Sequence, residues 1–373
     1  MSEPYQPRII ITTAGFGEGH NSAANNLASA LESEAEVEVV DPCDRGSPNL
    51  NQQLRRFYRF VTTHTPKLWS RIYKSTERHD FSKERFPLMR KPENILHDLL
   101  FSFSPDAIIS TYPLYPYFLD RSFRRGASKV PVFTVITDSI EINAAWSKAP
   151  TDFWLVTDDL TKKKLIAKGL PAEKIIVTGF AVHPRFQTLT PLTSQVSCTP
   201  FKVLYFPTSK KPTVRKHLRA ILDVPGNQTQ VTVVLGRNVR KLYERAREIQ
   251  EQYPGRVQIK GWTRKVPELL SSHHLTIGKA GGATVHEAIA AQCPMLISHL
   301  VPGQEQGNLD LLHDIGAGQL CDTEEQMTSA ITQMLANDAR EWRTMKDNLA
   351  ASAMPCGSAT AAQFILKQIR PES

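Results

Sequence analysis

The stretch that decides the fold is GKAGGATVHEA, residues 278–288. It follows the apolar run LTI, and it places a lysine and three glycines just before a sequence typical of a helix. Glycines between a strand and a helix indicate that something approaches the backbone closely there, often a phosphate. A tight turn without a ligand is the alternative, because short glycine patterns recur by chance. The rest of the chain has to decide between them.

Short apolar runs alternate with helical stretches along nearly the whole chain. This alternation predicts an α/β fold with two doubly wound parallel sheets, separated by a Pro-, Ser- and Thr-rich stretch at 183–200. Ligands in such sheets bind beyond the carboxyl ends of the strands, so we expect a site in a cleft between two domains. The predicted strands are 8–15, 37–41, 105–110, 132–138, 153–159 and 174–180, then 202–207, 230–236, 256–262, 275–280 and 294–298; the predicted helices include 20–33, 238–252 and 283–292.

Composition and cysteine spacing exclude several classes of protein. The five cysteines show neither CxxC nor CxxH spacing, which argues against a zinc site or a disulfide framework and favours a reducing cytosol. The first residues lack the pattern of a signal peptide, and no continuous apolar run reaches the length of about 20 residues that spans a bilayer. We therefore expect a cytoplasmic protein.

The positive charge of the chain is concentrated in residues 52–92. This stretch holds eleven Lys or Arg and three Asp or Glu, an excess of eight that equals the net charge of the whole chain. Because aromatic residues are mixed in, the stretch suits an anionic membrane surface. Nucleic acid, or a solvated helical face with its aromatics in the core, is the alternative, but no nucleic-acid-binding signature is present. The membrane-facing residues selected here are Arg55, Arg56, Arg59 and Trp69.

A second glycine-bearing strand end lies near the N-terminus. There, GFGEGHNSA (15–23) places three glycines before His20. The spacing matches a dinucleotide-binding fingerprint only loosely, with Asp41 at the end of the next strand. A histidine at the mouth of a cleft can take a proton from a substrate hydroxyl, because its reference pKa is near neutral. A purely structural histidine is the alternative.

Three longer passages carry a resemblance to a known family. GKAGGATVHEAIAAQCPMLISHLVPGQEQGNLDLLHDIGAG (278–318) resembles the nucleotide-sugar-binding half of the MurG-like GT-B glycosyltransferases. It is most similar to monogalactosyldiacylglycerol synthases and processive diacylglycerol glucosyltransferases. GFGEGHNSAANNLASAL (15–31) is similar to the N-terminal Gly-Gly-His loop of that family, and residues 135–186 are similar to its TD…W…V…GxxVxPxF segment. The three passages stand in the order of the family.

The resemblance implies a UDP-sugar site in the second half. Gly281 and Gly282 would let the diphosphate reach the amides and the positive end of the following helix, and Glu287 would accept hydrogen bonds from the ribose. Gln304 and Glu305 would bind the donor sugar, unless they belong to a polar surface loop. Lys279 is a phosphate ligand or a solvated side chain. The predicted donor site is Gly261, Lys279, Gly281, Gly282, Thr284, Glu287, Gln304, Glu305 and Asn308, the last of which holds the loop or contacts the sugar.

The resemblance also implies inversion by direct attack of an acceptor hydroxyl. His20 matches the general base, and Asp138 orients it or is a second base, with a helix cap as the alternative. We expect neither a metal nor a cofactor, because backbone amides and helix dipoles can offset the charge of the leaving diphosphate.

Two departures from the family bear on the choice of donor and acceptor. The first loop of the second half, FPTSKKPTVRK (206–216), lacks glycine. In the family this loop is commonly rich in glycine and touches the phosphates with its amides. Here the side chains of Thr208, Ser209 and Lys210 take over that contact, or the loop does not touch the donor. Asn143 stands where relatives often carry a histidine before the tryptophan.

The resulting domain prediction has four parts. An acceptor- and membrane-facing Rossmann-like domain at 1–183 and a linker at 184–200 precede a nucleotide-sugar-binding Rossmann-like domain at 201–345. A helical segment at 346–373 is expected to pack back on the first domain. The predicted function is transfer of a hexose from a UDP-sugar to a lipid hydroxyl, expected to be diacylglycerol, by a peripheral membrane enzyme. A UDP-sugar epimerase of the same fold and a non-catalytic UDP-sugar sensor are the alternatives.

Overall fold

The computed structural model describes residues 5–16, 18–65, 81, 89–140, 142–208, 211–226, 229–301, 305–352, 354 and 356–370. The chain divides into two compact units. The N-terminal unit comprises Met1–Pro184 and Pro355–Ser373, and the C-terminal unit comprises Arg185–Val301 and Glu305–Met354. The last helix of the chain therefore belongs to the N-terminal unit.

The N-terminal unit is built on a six-stranded parallel sheet. Its strands lie in the order β2-β1-β3-β4-β5-β6. The first strand reads RIIIT, and its isoleucines are fully buried, as expected for a parallel strand covered on both faces. The order reverses between β1 and β3, and ligands of open α/β sheets bind beyond the strand ends at such a switch point. The strands are β1 (Arg8–Thr12), β2 (Glu36–Val40), β3 (Ala107–Ser110), β4 (Val132–Val135), β5 (Phe153–Val156) and β6 (Ile175–Val177).

Helices cover both faces of this sheet. Alternate residues of a strand point to opposite faces, so Ile10 joins a cluster with Leu96 and Tyr115, whereas Ile9 joins a cluster with Leu27. The second cluster includes residues of the C-terminal helix of the chain, which packs against the first helix. The helices are α1 (Glu18–Leu31), α2 (Pro42–Gly46), α3 (Pro48–His64), α4 (Arg90–Phe103), α5 (Tyr115–Arg124), α6 (Ala144–Ser147), α7 (Asp159–Ala167) and α14 (Gly357–Ile369).

The C-terminal unit repeats this architecture with a different strand order. Its six parallel strands lie in the order β12-β11-β10-β7-β8-β9, so that its switch point lies between β7 and β10. The stretch at 183–200 contains no strand or α-helix, only a short 3-10 turn at Pro184–Gln187. The strands are β7 (Phe201–Tyr205), β8 (Thr229–Val234), β9 (Val257–Lys260), β10 (Leu275–Lys279), β11 (Met295–His299) and β12 (Gly318–Leu320).

Six α-helices complete the described part of the C-terminal unit. The fifth ends at Ile315 and is capped by Gly316, whose φ of 68° is the left-handed conformation that glycine adopts most easily at a helix end. The sixth is interrupted by non-helical backbone at Ala336–Ala339. The helices are α8 (Lys211–Leu222), α9 (Val239–Gln252), α10 (Val266–Ser272), α11 (Gly282–Ala290), α12 (Gln306–Ile315) and α13 (Glu324–Ser352).

One stretch, Glu324–Ile369, has the length and mean hydropathy, 1.2, of a helix that could cross a membrane, and 44% of the tested window is buried. It is formed by α13 and α14, which belong to different units. Met327 and Trp342 of α13 and Ile365 of α14 are fully buried in the cores of their units. Part of its apolar composition therefore belongs to the cores of the two units.

The predicted α/β class with two doubly wound parallel sheets is confirmed. The element boundaries differ by a few residues. Helix α1 begins at Glu18, two residues before the predicted start, so Gly19 and His20 lie in its first turn and not in the preceding loop. Helix α11 likewise begins at Gly282, within the predicted glycine turn.

Candidate functional site

In the N-terminal unit, His20 lies beside the switch point of the sheet. The hydroxyl of Thr111, the residue after β3, is within hydrogen-bonding distance of two carbonyls, at 3.2 Å from Thr12 and 3.1 Å from His20. The backbone N–H of Thr111 also donates to the Thr12 carbonyl. The ends of β1 and β3 are thus tied to the first turn of α1, which fixes the position of the histidine backbone.

The ring of His20 is half-buried and held by its neighbours. Its Nδ1 lies 3.0 Å from the hydroxyl of Thr137. Tyr112 contacts the ring edge-on, with 5.3 Å between centroids, and Trp146 lies at 6.0 Å. Burial lowers the pKa of His20 from 6.5 to about 4, and a hydrogen bond with the Thr111 backbone opposes this shift in part. The imidazole is therefore neutral at pH 7 and able to accept a proton.

Asp138, the second predicted catalytic residue, accepts a hydrogen bond of 2.9 Å from Nε1 of Trp146. Asp138 thereby positions a ring that lies beside His20, while Thr137 contacts the histidine directly. Sequence reasoning missed Thr137 and assigned Trp146 no role. The only signal was that both lie in the segment after β4 that resembles the TD…W pattern of the family.

Arg55, predicted to face the membrane, lies against the loop that precedes His20. A β-carbon on Gly15 would clash with the Arg55 guanidinium, so the absence of a side chain there lets the arginine lie against the loop backbone. The carboxylate of Asp41 accepts a hydrogen bond of 3.0 Å from the Gly15 amide. Asp41 also caps α2, which gives it a structural role. Arg55 therefore packs against this loop, which gives it a structural contact in addition to the predicted membrane-facing role.

The rest of the exposed face of α3 fits the membrane prediction better. Arg56 is exposed, and Phe57 and Phe60 are 61% and 58% exposed, at helix spacings that place them on one side. Val61 of the same helix is buried. The side chain of Arg59 and the whole of Trp69 lie outside the described residues.

Phe81 behaves differently, because it is buried in the core of the N-terminal unit. Its carbonyl accepts a hydrogen bond from Arg121, which also forms a buried bidentate ion pair with Glu93. For Phe81, the alternative interpretation is correct: this aromatic residue of the basic stretch packs in the core and does not face a membrane.

In the C-terminal unit, the predicted donor turn joins β10 to α11 at the switch point. The pairing of β10 with β11 shifts register between Gly278 and Lys279, which bends the strand end. Gly281 is the N-cap of α11, and it provides no side-chain acceptor for the first N–H groups of the helix. Such a helix terminus, with a positive partial charge and unpaired N–H groups, suits an anion.

Glu287 lies one helical turn beyond Thr284 on α11, and both residues are half-buried. Burial raises the pKa of Glu287 from 4.5 to about 7. A carboxyl group poised near neutrality on the helix that follows the donor turn is a candidate for binding polar ligand groups.

Two other predicted donor residues have partners within the protein. Glu305 is 5% exposed, and its carboxylate accepts hydrogen bonds from Lys279 at 2.7 Å and from the Val301 amide at 3.0 Å. Asn308 is 3% exposed and donates to the Ala280 carbonyl at 3.0 Å. The prediction that they contact the sugar is untested, but these contacts place both beneath the donor turn.

The remaining predicted positions lie along the same sheet edge or outside the described residues. Gly261 follows β9, which is three strands from β10 and thus about 14 Å away at the usual strand spacing. Thr208 is half-buried after β7. Ser209, Lys210 and Gln304 lie outside the described residues. Among the described residues, no group of three or more His, Cys, Asp or Glu is arranged to hold a metal ion.

Comparison with protein families supports the resemblance drawn from the sequence. Residues 20–182 match the family model described as Monogalactosyldiacylglycerol (MGDG) synthase. The matched range includes His20, Thr137, Asp138 and Trp146.

Curated relatives match nearly the whole chain. The processive diacylglycerol beta-glucosyltransferase of Bacillus subtilis is 25% identical over 369 residues, which cover 97% of this chain and 95% of the relative. The chloroplastic monogalactosyldiacylglycerol synthase of Spinacia oleracea is 27% identical over 388 residues, which cover 95% of this chain and 71% of the relative.

Solved structures support the fold. Acinetobacter baumannii MurG gives a TM-score of 0.63 at 16% identity, covering 97% of this chain and 99% of MurG. The UDP-GlcNAc 2-epimerase of Neisseria meningitidis, solved with UDP-GlcNAc, gives 0.59 at 13% identity, covering 97% and 99%. The resemblance predicted from the sequence is confirmed: the chain has the GT-B fold and is similar to monogalactosyldiacylglycerol synthases and processive diacylglycerol glucosyltransferases.

Proposed function

We propose that the protein transfers a hexose from a UDP-sugar to the hydroxyl of a lipid, diacylglycerol, with inversion at the anomeric carbon. The observation that carries this proposal is the N-terminus of α11 at the switch point of the C-terminal unit. Its N-cap residue leaves the first amides without a side-chain acceptor, Lys279 lies beside it, and Glu287 follows on the helix. These groups match a diphosphate and a ribose in kind and in order along the chain.

In the proposed reaction, the acceptor oxygen attacks the anomeric carbon while the bond from that carbon to the diphosphate oxygen breaks. The UDP leaves with the electron pair, and the acceptor proton passes to His20. Because Nδ1 of His20 contacts Thr137, Nε2 is the nitrogen assigned to receive the proton. The amides of α11 offset the charge of the leaving diphosphate, so this scheme uses neither a metal nor a cofactor.

The acceptor assignment rests on the curated relatives, whose names specify diacylglycerol glycosylation. Exposed Arg56, Phe57 and Phe60 on α3 support a peripheral position at an anionic membrane surface. A cation with neighbouring aromatics can be drawn to anionic headgroups and then held by apolar burial.

The decisive experiment is incubation with radiolabelled UDP-glucose, UDP-galactose or UDP-GlcNAc and diacylglycerol vesicles, followed by separation of the lipid products. Labelled glycolipid from one donor supports the proposal. Conversion of a UDP-sugar to its epimer without lipid would instead support the epimerase, whose fold this chain shares. Donor binding without any product would support a sensor.

A further inference from the structure

The first turn of α12 makes hydrogen bonds to the donor turn, the segment that joins β10 to α11. Glu305, the N-cap residue of α12, uses one carboxylate oxygen for Lys279 and the other for the Val301 amide. Three residues further on, the Asn308 side chain donates to the carbonyl of Ala280. Two successive residues of the donor turn, Lys279 and Ala280, are therefore held by the same helix start.

This arrangement conflicts with the role that the resemblance gives to Glu305. A sugar hydroxyl needs an accessible oxygen, but the Glu305 side chain is only 7% exposed. Both of its oxygens already accept hydrogen bonds, including one from an ammonium group. The carboxylate keeps further acceptor sites, but the burial of the side chain leaves little access to them for a sugar hydroxyl.

The Lys279 side chain, in contrast, is 52% exposed and lies over the start of α11. A β-carbon on Gly281 would lie 3.0 Å from Cε and 3.5 Å from Nζ of Lys279. Since Gly281 has φ of −72° and ψ of 138°, its backbone does not require glycine. The close neighbour that a side chain at this position would displace is the end of the lysine that crosses it.

We propose that Glu305 is a positioning residue that holds the Lys279 ammonium over Gly281, where it pairs with the diphosphate of the donor. This inference rests on the proposed function, because it presupposes a UDP-sugar donor. An ammonium group has three N–H donors, so it can contact phosphate oxygens while it remains paired with Glu305. A lysine already held by a buried carboxylate loses less rotamer freedom on binding than a free one.

The same contact explains the loop after β7. That loop offers no glycine for a close phosphate approach. Lys279 supplies a positive charge at the neighbouring strand of the switch point, because β7 and β10 are adjacent. The negative charge of the donor diphosphate is thereby neutralised by Lys279 on β10 together with the amides of α11.

The test is calorimetric titration of the full-length chain with UDP, UDP-glucose, UDP-galactose and uridine. The variants are Lys279→Met, Lys279→Arg, Glu305→Gln and the double variant Lys279→Met/Glu305→Gln. Glu251→Gln is the matched control, because it removes the same charge from an exposed ion pair on α9. Thermal unfolding without ligand is measured in parallel to detect a loss of fold.

We expect Lys279→Met to weaken UDP binding by about tenfold or more and to leave uridine binding unchanged. Glu305→Gln should weaken UDP and the UDP-sugars by the same factor, and the double variant should bind no more weakly than Lys279→Met. Lys279→Arg, which keeps the charge, should recover part of the loss, and Glu251→Gln should match the wild type.

Two results would overturn the inference while leaving the proposed function intact. If Glu305→Gln weakens UDP-sugars but not UDP, Glu305 contacts the sugar as the resemblance implies. If Lys279→Met leaves UDP binding unchanged, the ammonium does not meet the diphosphate. Absence of binding of every uridine nucleotide to the wild type would overturn the proposed function and this inference together.

Discussion

The raised pKa of Glu287 predicts that donor binding depends on pH around neutrality. Only the carboxylate can accept charge-assisted hydrogen bonds from both ribose hydroxyls. With a pKa of about 7, roughly one carboxyl in eleven is ionised at pH 6 and ten in eleven at pH 8. If binding requires the carboxylate, the Kd for the donor should be about tenfold higher at pH 6 than at pH 8.

The assay is calorimetry with a UDP-sugar, because its diphosphate is esterified at both ends and does not titrate in this range. At pH 6, binding should also release a proton, detected as a dependence of the heat on the ionisation enthalpy of the buffer. Glu287→Gln should bind more weakly at pH 8 and lose most of the pH dependence. A constant Kd from pH 6 to 8, or an unchanged dependence in Glu287→Gln, would refute the assignment.

Stability must be followed in the same experiments, since the shift also affects folding. A pKa raised from 4.5 to about 7 means that the folded state retains a proton that the unfolded chain releases. The contribution of this carboxyl to stability is fully present below pH 4.5 and is lost as the pH rises through 7. Donor affinity and the stability contribution of Glu287 should therefore change in opposite directions with pH, which separates ligand binding from general unfolding.

Three further predictions concern the N-terminal unit and the metal-free scheme. His20→Ala should reduce turnover by about 10²–10⁴-fold with UDP affinity retained, and turnover within a few-fold of wild type in a lipid-glycosylation assay would exclude it as the base. Replacing Phe57 and Phe60 by serine should reduce flotation with anionic vesicles even at high salt, whereas Arg56→Glu should matter mainly at low salt; equal flotation of all variants would argue against α3 as the contact surface. Addition of EDTA should leave glycolipid synthesis unchanged, and strong inhibition reversed by a divalent cation would contradict the metal-free scheme.

The sequence was sufficient for the fold because its signals are local. Apolar β-branched runs such as RIIIT and the helices between them follow from periodicity, and alternation then requires parallel sheets. The strand ends that carry the glycines and His20 were predicted in the same way, whereas the strand order that makes them switch points was not. Chain position thus located both candidate sites, although the exact start of α1 was two residues off.

The side-chain partners could not be predicted, because they depend on contacts between distant residues. Thr137 and His20 are 117 positions apart, and nothing in either neighbourhood indicates that they meet. Composition likewise could not predict which aromatic residues of the basic stretch are exposed and which are buried. It gives the same weight to Phe57, which is exposed on α3, and to Phe81, which is buried beneath the ion pair of Arg121 and Glu93.

The donor turn shows most clearly where inference from sequence reaches its limit. Gly281 was expected to be glycine so that a phosphate could approach the backbone, and the structure gives a steric reason of another kind, since Lys279 crosses the same position. Both reasons favour a small residue, so the sequence alone cannot separate them. Glu305 presents the same ambiguity in charge: the resemblance makes this carboxylate a sugar ligand, whereas its burial and its lysine partner support the positioning role that we propose. A residue type fixes what a side chain can bind, and only its neighbours in space determine which partner it has.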